Sequence, residues 1–216
     1  MPEQMKQSQP RRRIFLALAA IAVLAGVGAI YVINSGSGNV AAVGCENAAA
    51  RIAALKPMAL GEVAAFGVRD KAEPIGELSF ADRDGKTVSI DDWRGKTVLL
   101  NLWATWCAPC RREMPALEAL QKEMGGENFA VVPVSVDLGD DEKPKAFYAE
   151  TGLKDLPFFH DGSMRVFNAL KKRGLAIGMP TSILLDGQGC MLGSISGPAE
   201  WASPDARNLI EAALGK

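Results

Sequence analysis

Histidine is nearly missing from this 216-residue chain; His160 is the sole one. Cysteine is sparse too, with Cys45, Cys107, Cys110 and Cys190 and a single Cys-x-x-Cys. A tetrahedral zinc site drawn from these residues would lack ligands. A c-type haem attachment site needs histidine directly after the second cysteine, and Arg111 stands there. Charge of one sign is also lacking. The formal net charge is −1, so nothing favours nucleic acid as a partner. No internal repeat is visible.

What the chain does have is a long uncharged run, residues 14–33, preceded by Arg11, Arg12 and Arg13. A helix of that length spans ~30 Å, the thickness of a bilayer core. The arginines mark the cytoplasmic side, so the remainder is expected outside it. The segments are then a basic cytoplasmic tail (1–13), a transmembrane anchor (14–33), a Gly/Ser tether (34–44), a helical extension (45–74) and a folded domain (75–216). A cleaved signal peptide, a twin-arginine export signal at Arg12-Arg13 and a lipoprotein site at Cys45 are the rival readings. Each of them also exports the domain, and an exported domain permits disulfides.

Beyond residue 75 strands and helices alternate. Leu78–Phe80 and Thr87–Ile90 around Asp84-Gly85 read as a hairpin. Lys96–Trp103 and Phe129–Val136 read as buried strands, and Leu156–Phe159 as a short one. Helices are expected from Cys107 to Met124, Glu142 to Thr151, Ser163 to Lys172 and Pro204 to Leu214. Thr181–Leu185 and Cys190–Ile195 read as a second hairpin. The fold class is α/β with a mixed sheet.

The Cys107-Ala108-Pro109-Cys110 motif stands where a strand passes into a helix. A helix N-terminus offers free N–H groups and partial positive charge, which stabilise a thiolate. Cys107 is therefore the expected nucleophile. Cys110, one turn later, can attack the mixed disulfide that results. Pro109 loses nothing by lacking an N–H in the first turn.

Val98-Leu99-Leu100-Asn101-Leu102-Trp103-Ala104-Thr105-Trp106-Cys107-Ala108-Pro109-Cys110 closely resembles the active-site strand and turn of the thioredoxin superfamily. Pro115 and Gly178-Met179-Pro180-Thr181 fall where that family has a helix-kinking proline and a cis-proline loop. Arg111-Arg112-Glu113-Met114-Pro115, the hairpin and the insert before Gly178 resemble its TlpA/ResA branch. The anchor, the helix around Cys45 and the extra cysteine pair bring the whole chain nearest to TlpA-like members.

The resemblance implies a thioredoxin-like domain with an N-terminal β-hairpin and a central αβ insert. It implies a cis Pro180 that sets Met179 beside Cys107, Trp106 on the client-binding face, and Glu113 as a proton carrier near the thiols. A solvated helix-face carboxylate is the rival reading of Glu113. Asn101 departs from cytoplasmic thioredoxins, which have aspartate there. Cys45 and Cys190 are expected as a structural disulfide closing a loop of ~145 residues, worth on the order of 5 kcal/mol at most. Two free thiols, or a resolving role for one, are its rivals. Thr105 and His160 receive no role beyond structure.

The implied activity is a protein-disulfide reductase of the inner membrane, facing the periplasm, with no cofactor or metal. The implied partners are disulfide-containing clients in oxidase copper-site assembly (a copper chaperone and an oxidase subunit) and a membrane thiol donor of electrons. A cytochrome c maturation reductase is the alternative. A thiol peroxidase fits poorly, because Ala104 stands where threonine is needed. A Sco-type copper metallochaperone fails at the spacing between Cys107 and Cys110.

Overall fold

Thr97–Trp103 (β4) and Phe129–Ser135 (β5) are buried at every residue. A strand without polar alternation needs cover on both faces, so such strands sit at the middle of a sheet. In the computed structural model, which describes residues 44–215, they pair in parallel from Thr97/Phe129 to Trp103/Ser135. The other strands are Gly67–Pro74 (β1), Ser79–Asp82 (β2), Thr87–Ser89 (β3), Phe159–His160 (β6), Thr181–Leu185 (β7) and Cys190–Ser196 (β8). Their order across the sheet is β1-β8-β7-β4-β5-β6-β2-β3. β5 and β6 also run parallel, while β7 is antiparallel to both β4 and β8. This is a thioredoxin-like α/β fold with a mixed sheet flanked by helices. Leu100, Leu102, Val132, Val134, Ile183 and Met191 lie in its main apolar core.

The helices are Ala49–Leu55 (α1), Ala108–Met124 (α2), Glu142–Thr151 (α3), Arg165–Lys172 (α4) and Pro204–Leu214 (α5). α3 and α5 have the boundaries read from sequence. α3 ends on Gly152, whose φ of 71° is the left-handed conformation that closes a helix at little cost to glycine. Ser203 caps α5, its hydroxyl accepting from the Ala206 N–H.

Two elements differ from the sequence reading by more than two residues at an end. The extension is helical only in its first part, where Cys45–Ala48 and Lys56–Met58 are 3-10 turns around α1. Gly67–Pro74 is a strand on the sheet's edge, paired antiparallel with β8. Its sequence, Gly-Val-Arg-Asp-Lys-Ala-Glu-Pro, buries only Ala72, so no apolar alternation announces it. Charged residues on an edge strand also discourage pairing with other chains. The second difference is the strand expected at Leu156–Phe159, which is shorter and displaced to Phe159–His160. Pro157 has no N–H to pair, and the N–H groups of Lys154, Asp155 and Leu156 all donate to the Glu118 carboxylate at 2.7–2.9 Å.

Cys45 and Cys190 form a disulfide with Cα atoms 5.7 Å apart. It ties the chain just before α1 to the start of β8. Nearby, Arg51 pairs with Asp186 at 3.4 Å, and Asp186 accepts from the Cys190 N–H at 3.0 Å. The expected anchor at 14–33, with the tail and all but the last residue of the tether, lies outside the described residues. Among the described residues no helix is long and apolar enough to cross a membrane.

Candidate active site

β4 ends at Trp103, and Ala104-Thr105-Trp106 turns the chain into α2. That turn is fixed from beneath by Asp137, just past the end of β5. The Asp137 carboxylate accepts from the Thr105 backbone N–H at 2.9 Å, from the Thr105 hydroxyl, and from the Ser135 hydroxyl at 2.8 Å. His160 Nε2 meets the Asp137 carbonyl at 2.8 Å, so that ring nitrogen donates and the histidine is tied to the same support. Thr105, which sequence left without a role, is the link between the sheet and the cysteine turn.

Cys107 is the N-cap of α2, and its sulfur accepts from the Cys110 N–H at 3.3 Å. The two cysteines form a disulfide with Cα atoms 5.2 Å apart. Cys107 retains 6% exposure and Cys110 has none, so of the two residues only Cys107 can be approached from outside. Pro109 occupies the first turn and Pro115 lies within the helix.

A hollow of about 450 Å³ opens beside Cys107. Trp106, Pro109 and Met179 line it with Met164 and Phe167 of the α4 region. Trp106 is 63% exposed there. The Met179–Pro180 bond is cis. Sequence reasoning thus named four of the residues around this hollow, Trp106, Cys107, Pro109 and Met179, but not Met164 or Phe167. Those two come from a helix whose position depends on the whole sheet.

Glu113 is buried, at 3% exposure. Its Oε1 accepts from the Trp201 indole N–H at 2.6 Å and from the Ala199 N–H at 3.1 Å. Its Oε2 accepts from Asn101 Nδ2 at 3.3 Å. Removal from water disfavours the charged form and raises the pKa to about 7; the three donors work against that rise, and the Glu200 charge adds slightly to it. The solvated alternative for Glu113 does not describe this geometry. Cys110, Glu113, Met114, Leu117 and Leu120 are all buried on α2, at helical spacing. That spacing marks Glu113 as an inward position, despite the flanking Arg111 and Arg112. Trp201 was missed altogether. A tryptophan in the loop Pro198-Ala199-Glu200-Trp201-Ala202-Ser203, between β8 and α5, is a recognisable signal, since a buried indole N–H needs an acceptor.

A cysteine pair on a helix N-terminus beside a buried carboxyl group of near-neutral pKa has the parts for thiol–disulfide exchange. The Redoxin family model matches residues 68–210. The chain belongs to the Redoxin family. Among curated relatives, the thioredoxin-like protein YneN of Bacillus subtilis is 38% identical over 116 residues, covering 52% of this chain and 64% of YneN. The thiol-disulfide oxidoreductase ResA of Bacillus thuringiensis is 35% identical over 119 residues, covering 54% and 64%. This Redoxin chain therefore spans just under two thirds of the length of the curated relatives it matches. The crystal structure of a thioredoxin-family thiol:disulfide interchange protein from Chlorobium tepidum superposes with a TM-score of 0.57 at 28% identity, covering 67% of this chain and 98% of that one.

Proposed function

We propose that this Redoxin protein is an anchored, outward-facing thiol–disulfide oxidoreductase that reduces disulfides in client proteins. The observation that carries the reading is the Cys107–Cys110 disulfide capping α2, with only Cys107 reachable. In the reduced enzyme the Cys107 thiolate attacks one sulfur of the client disulfide. A Cys107–client bond forms, the client bond breaks, and the other client sulfur leaves as a thiolate and takes a proton. Cys110 loses its proton and attacks Cys107, which releases the second client thiolate. The client gains two electrons and the enzyme is left as the disulfide seen here. Two electrons from a membrane thiol donor return it to the dithiol. Glu113, one helical turn past Cys110, takes and returns the proton that Cys110 loses and regains.

The residues 14–33 run and the Cys45–Cys190 pair support a TlpA-like role on clients of oxidase copper-site assembly. The sequence likeness to ResA proteins supports the second reading, a cytochrome c maturation reductase. One experiment tests both. The Cys110→Ser protein, produced at its native level, is expected to hold clients as mixed disulfides through Cys107. Identification of copper-site proteins or of apocytochromes among them chooses between the readings. Trapping that survives Cys107→Ser, or no trapped protein at all, overturns the mechanism.

A further inference from the structure

Asn101 lies at the centre of β4 with no exposed surface, and it touches Glu113 from the sheet side. Its Nδ2 donates twice, to Glu113 Oε2 at 3.3 Å and to Ser182 Oγ of β7 at 2.9 Å. Its Oδ1 is buried with no partner among the described residues. Three N–H groups donate to the Glu113 carboxylate, so this arrangement suits its ionised form best. Oε1 already accepts two N–H groups, from Trp201 and Ala199. A proton taken up by Glu113 therefore goes on Oε2, and where that proton points at the Asn101 amide a donor faces a donor.

An asparagine side chain resolves that conflict without changing shape. Its oxygen and nitrogen are nearly the same size, and rotation by half a turn exchanges them. After inversion Oδ1 accepts from the Oε2–H of Glu113. The Ser182 hydroxyl turns its proton and donates to the same oxygen, since a hydroxyl is both donor and acceptor. Two donated bonds become two accepted ones. As the side chain stands, Oδ1 is the unpaired amide atom; inversion moves that place to the NH2 group, and the bond to a protonated Glu113 is what offsets the change.

We propose that Asn101 and Ser182 are a positioning pair for the active site: the Asn101 amide inverts whenever Glu113 gains or loses its proton. The pair gives Oε2 a complete hydrogen bond in both states. Proton transfer at Glu113 then leaves α2, and the cysteines it carries, in place. The inference rests on Glu113 acting as the proton carrier. The charged groups around Glu113 are Glu200, next to its Ala199 donor, and Glu62 and Arg112, which line the same surface opening. The cysteine pair one turn earlier is uncharged as a disulfide, and from β4 and β7 the groups hydrogen-bonded at this corner are the uncharged Asn101 and Ser182.

The test is NMR on the oxidised full chain labelled with [15N]asparagine and [13C]glutamate, from about pH 5 to about pH 9, around the Glu113 midpoint. The Asn101 amide signal is identified by its loss in Asn101→Leu. Its amide protons are expected to show strong contacts to the Ser182 Hβ protons above the Glu113 midpoint, falling several-fold below it. Glu113→Gln mimics the neutral acid, with its own N–H₂ facing Asn101. In that variant the weak contact is expected at every pH. A titrating Glu113 with an unchanging Asn101–Ser182 contact overturns the inversion and leaves the proton carrier standing. A Glu113 that does not titrate in the range overturns both. In exchange kinetics, Asn101→Leu is expected to move the Glu113-dependent limb of the pH–rate profile alkaline by about one unit, because the charged form loses the stronger bond. An unmoved limb in a folded Asn101→Leu protein contradicts the pair's role.

Discussion

Glu113 is held by three donors and still has a raised pKa, because burial outweighs them. The consequence for stability has a definite sign. A carboxyl group that protonates more readily in the folded state contributes stability that is complete below its unfolded pKa, near 4.5, and is lost as pH rises through about 7. Wild type is therefore expected to weaken between those values by at most about 3 kcal/mol, and Glu113→Gln to flatten that slope. Urea unfolding at several pH values measures both. Asp137 is a second residue whose work is local. Asp137→Ala strands the Thr105 N–H and is expected to cost about 2–3 kcal/mol. It should also slow thiol–disulfide exchange at Cys107, since the turn holding that residue loses its support. Denaturation and stopped-flow exchange read the two effects. The sequence made Cys107 and Cys110 legible because their spacing is itself the chemistry. It hid the carriers of support, because Asp137, Ser182, Ala199 and Trp201 reach the site only after the sheet has closed.

Elements followed their sequence signals where burial or caps were strong. α3, α5 and β7 have the boundaries that their periodicity and end residues implied. β1 escaped notice because an edge strand is held by backbone bonds, and backbone bonds leave no mark on composition. The stretch after α3 escaped because its N–H groups are satisfied by one distant side chain. Glu118→Ala is expected to speed amide hydrogen exchange at Lys154, Asp155 and Leu156 and to leave β4 and β5 unchanged. Native-state exchange followed residue by residue shows this. The Cys45–Cys190 bond closes a loop across 145 residues. Replacing both cysteines by serine is expected to lower stability by up to about 5 kcal/mol in the chain-entropy account. It should leave the Cys107–Cys110 exchange rate close to wild type. Guanidinium unfolding and a thiol-exchange assay separate the two.

At the scale of the whole molecule, the family stands on residues 68–210, and the proposed outward placement rests on the sequence of residues 1–33 alone. A membrane-impermeant maleimide applied to intact spheroplasts, after mild reduction, is expected to label Cys107. Labelling only after lysis contradicts the outward placement. The overall α/β architecture was legible because its signals are local and repeat along the chain. The pairing order of eight strands was not, since it is decided by contacts far apart in sequence.

The link between Cys45 and Cys190 also sets how the domain bears load. Tension arriving along the chain from before residue 44 meets a covalent branch at Cys45, at the threshold of the described structure. It passes directly into β8, a neighbour of β7 and next but one to β4. The segment from Glu46 through β1 lies inside the closed loop and is spared the pull. The edge strand, which would otherwise be pulled directly along its own chain, is shielded, and the load enters the sheet one strand further in, at β8 between β1 and β7.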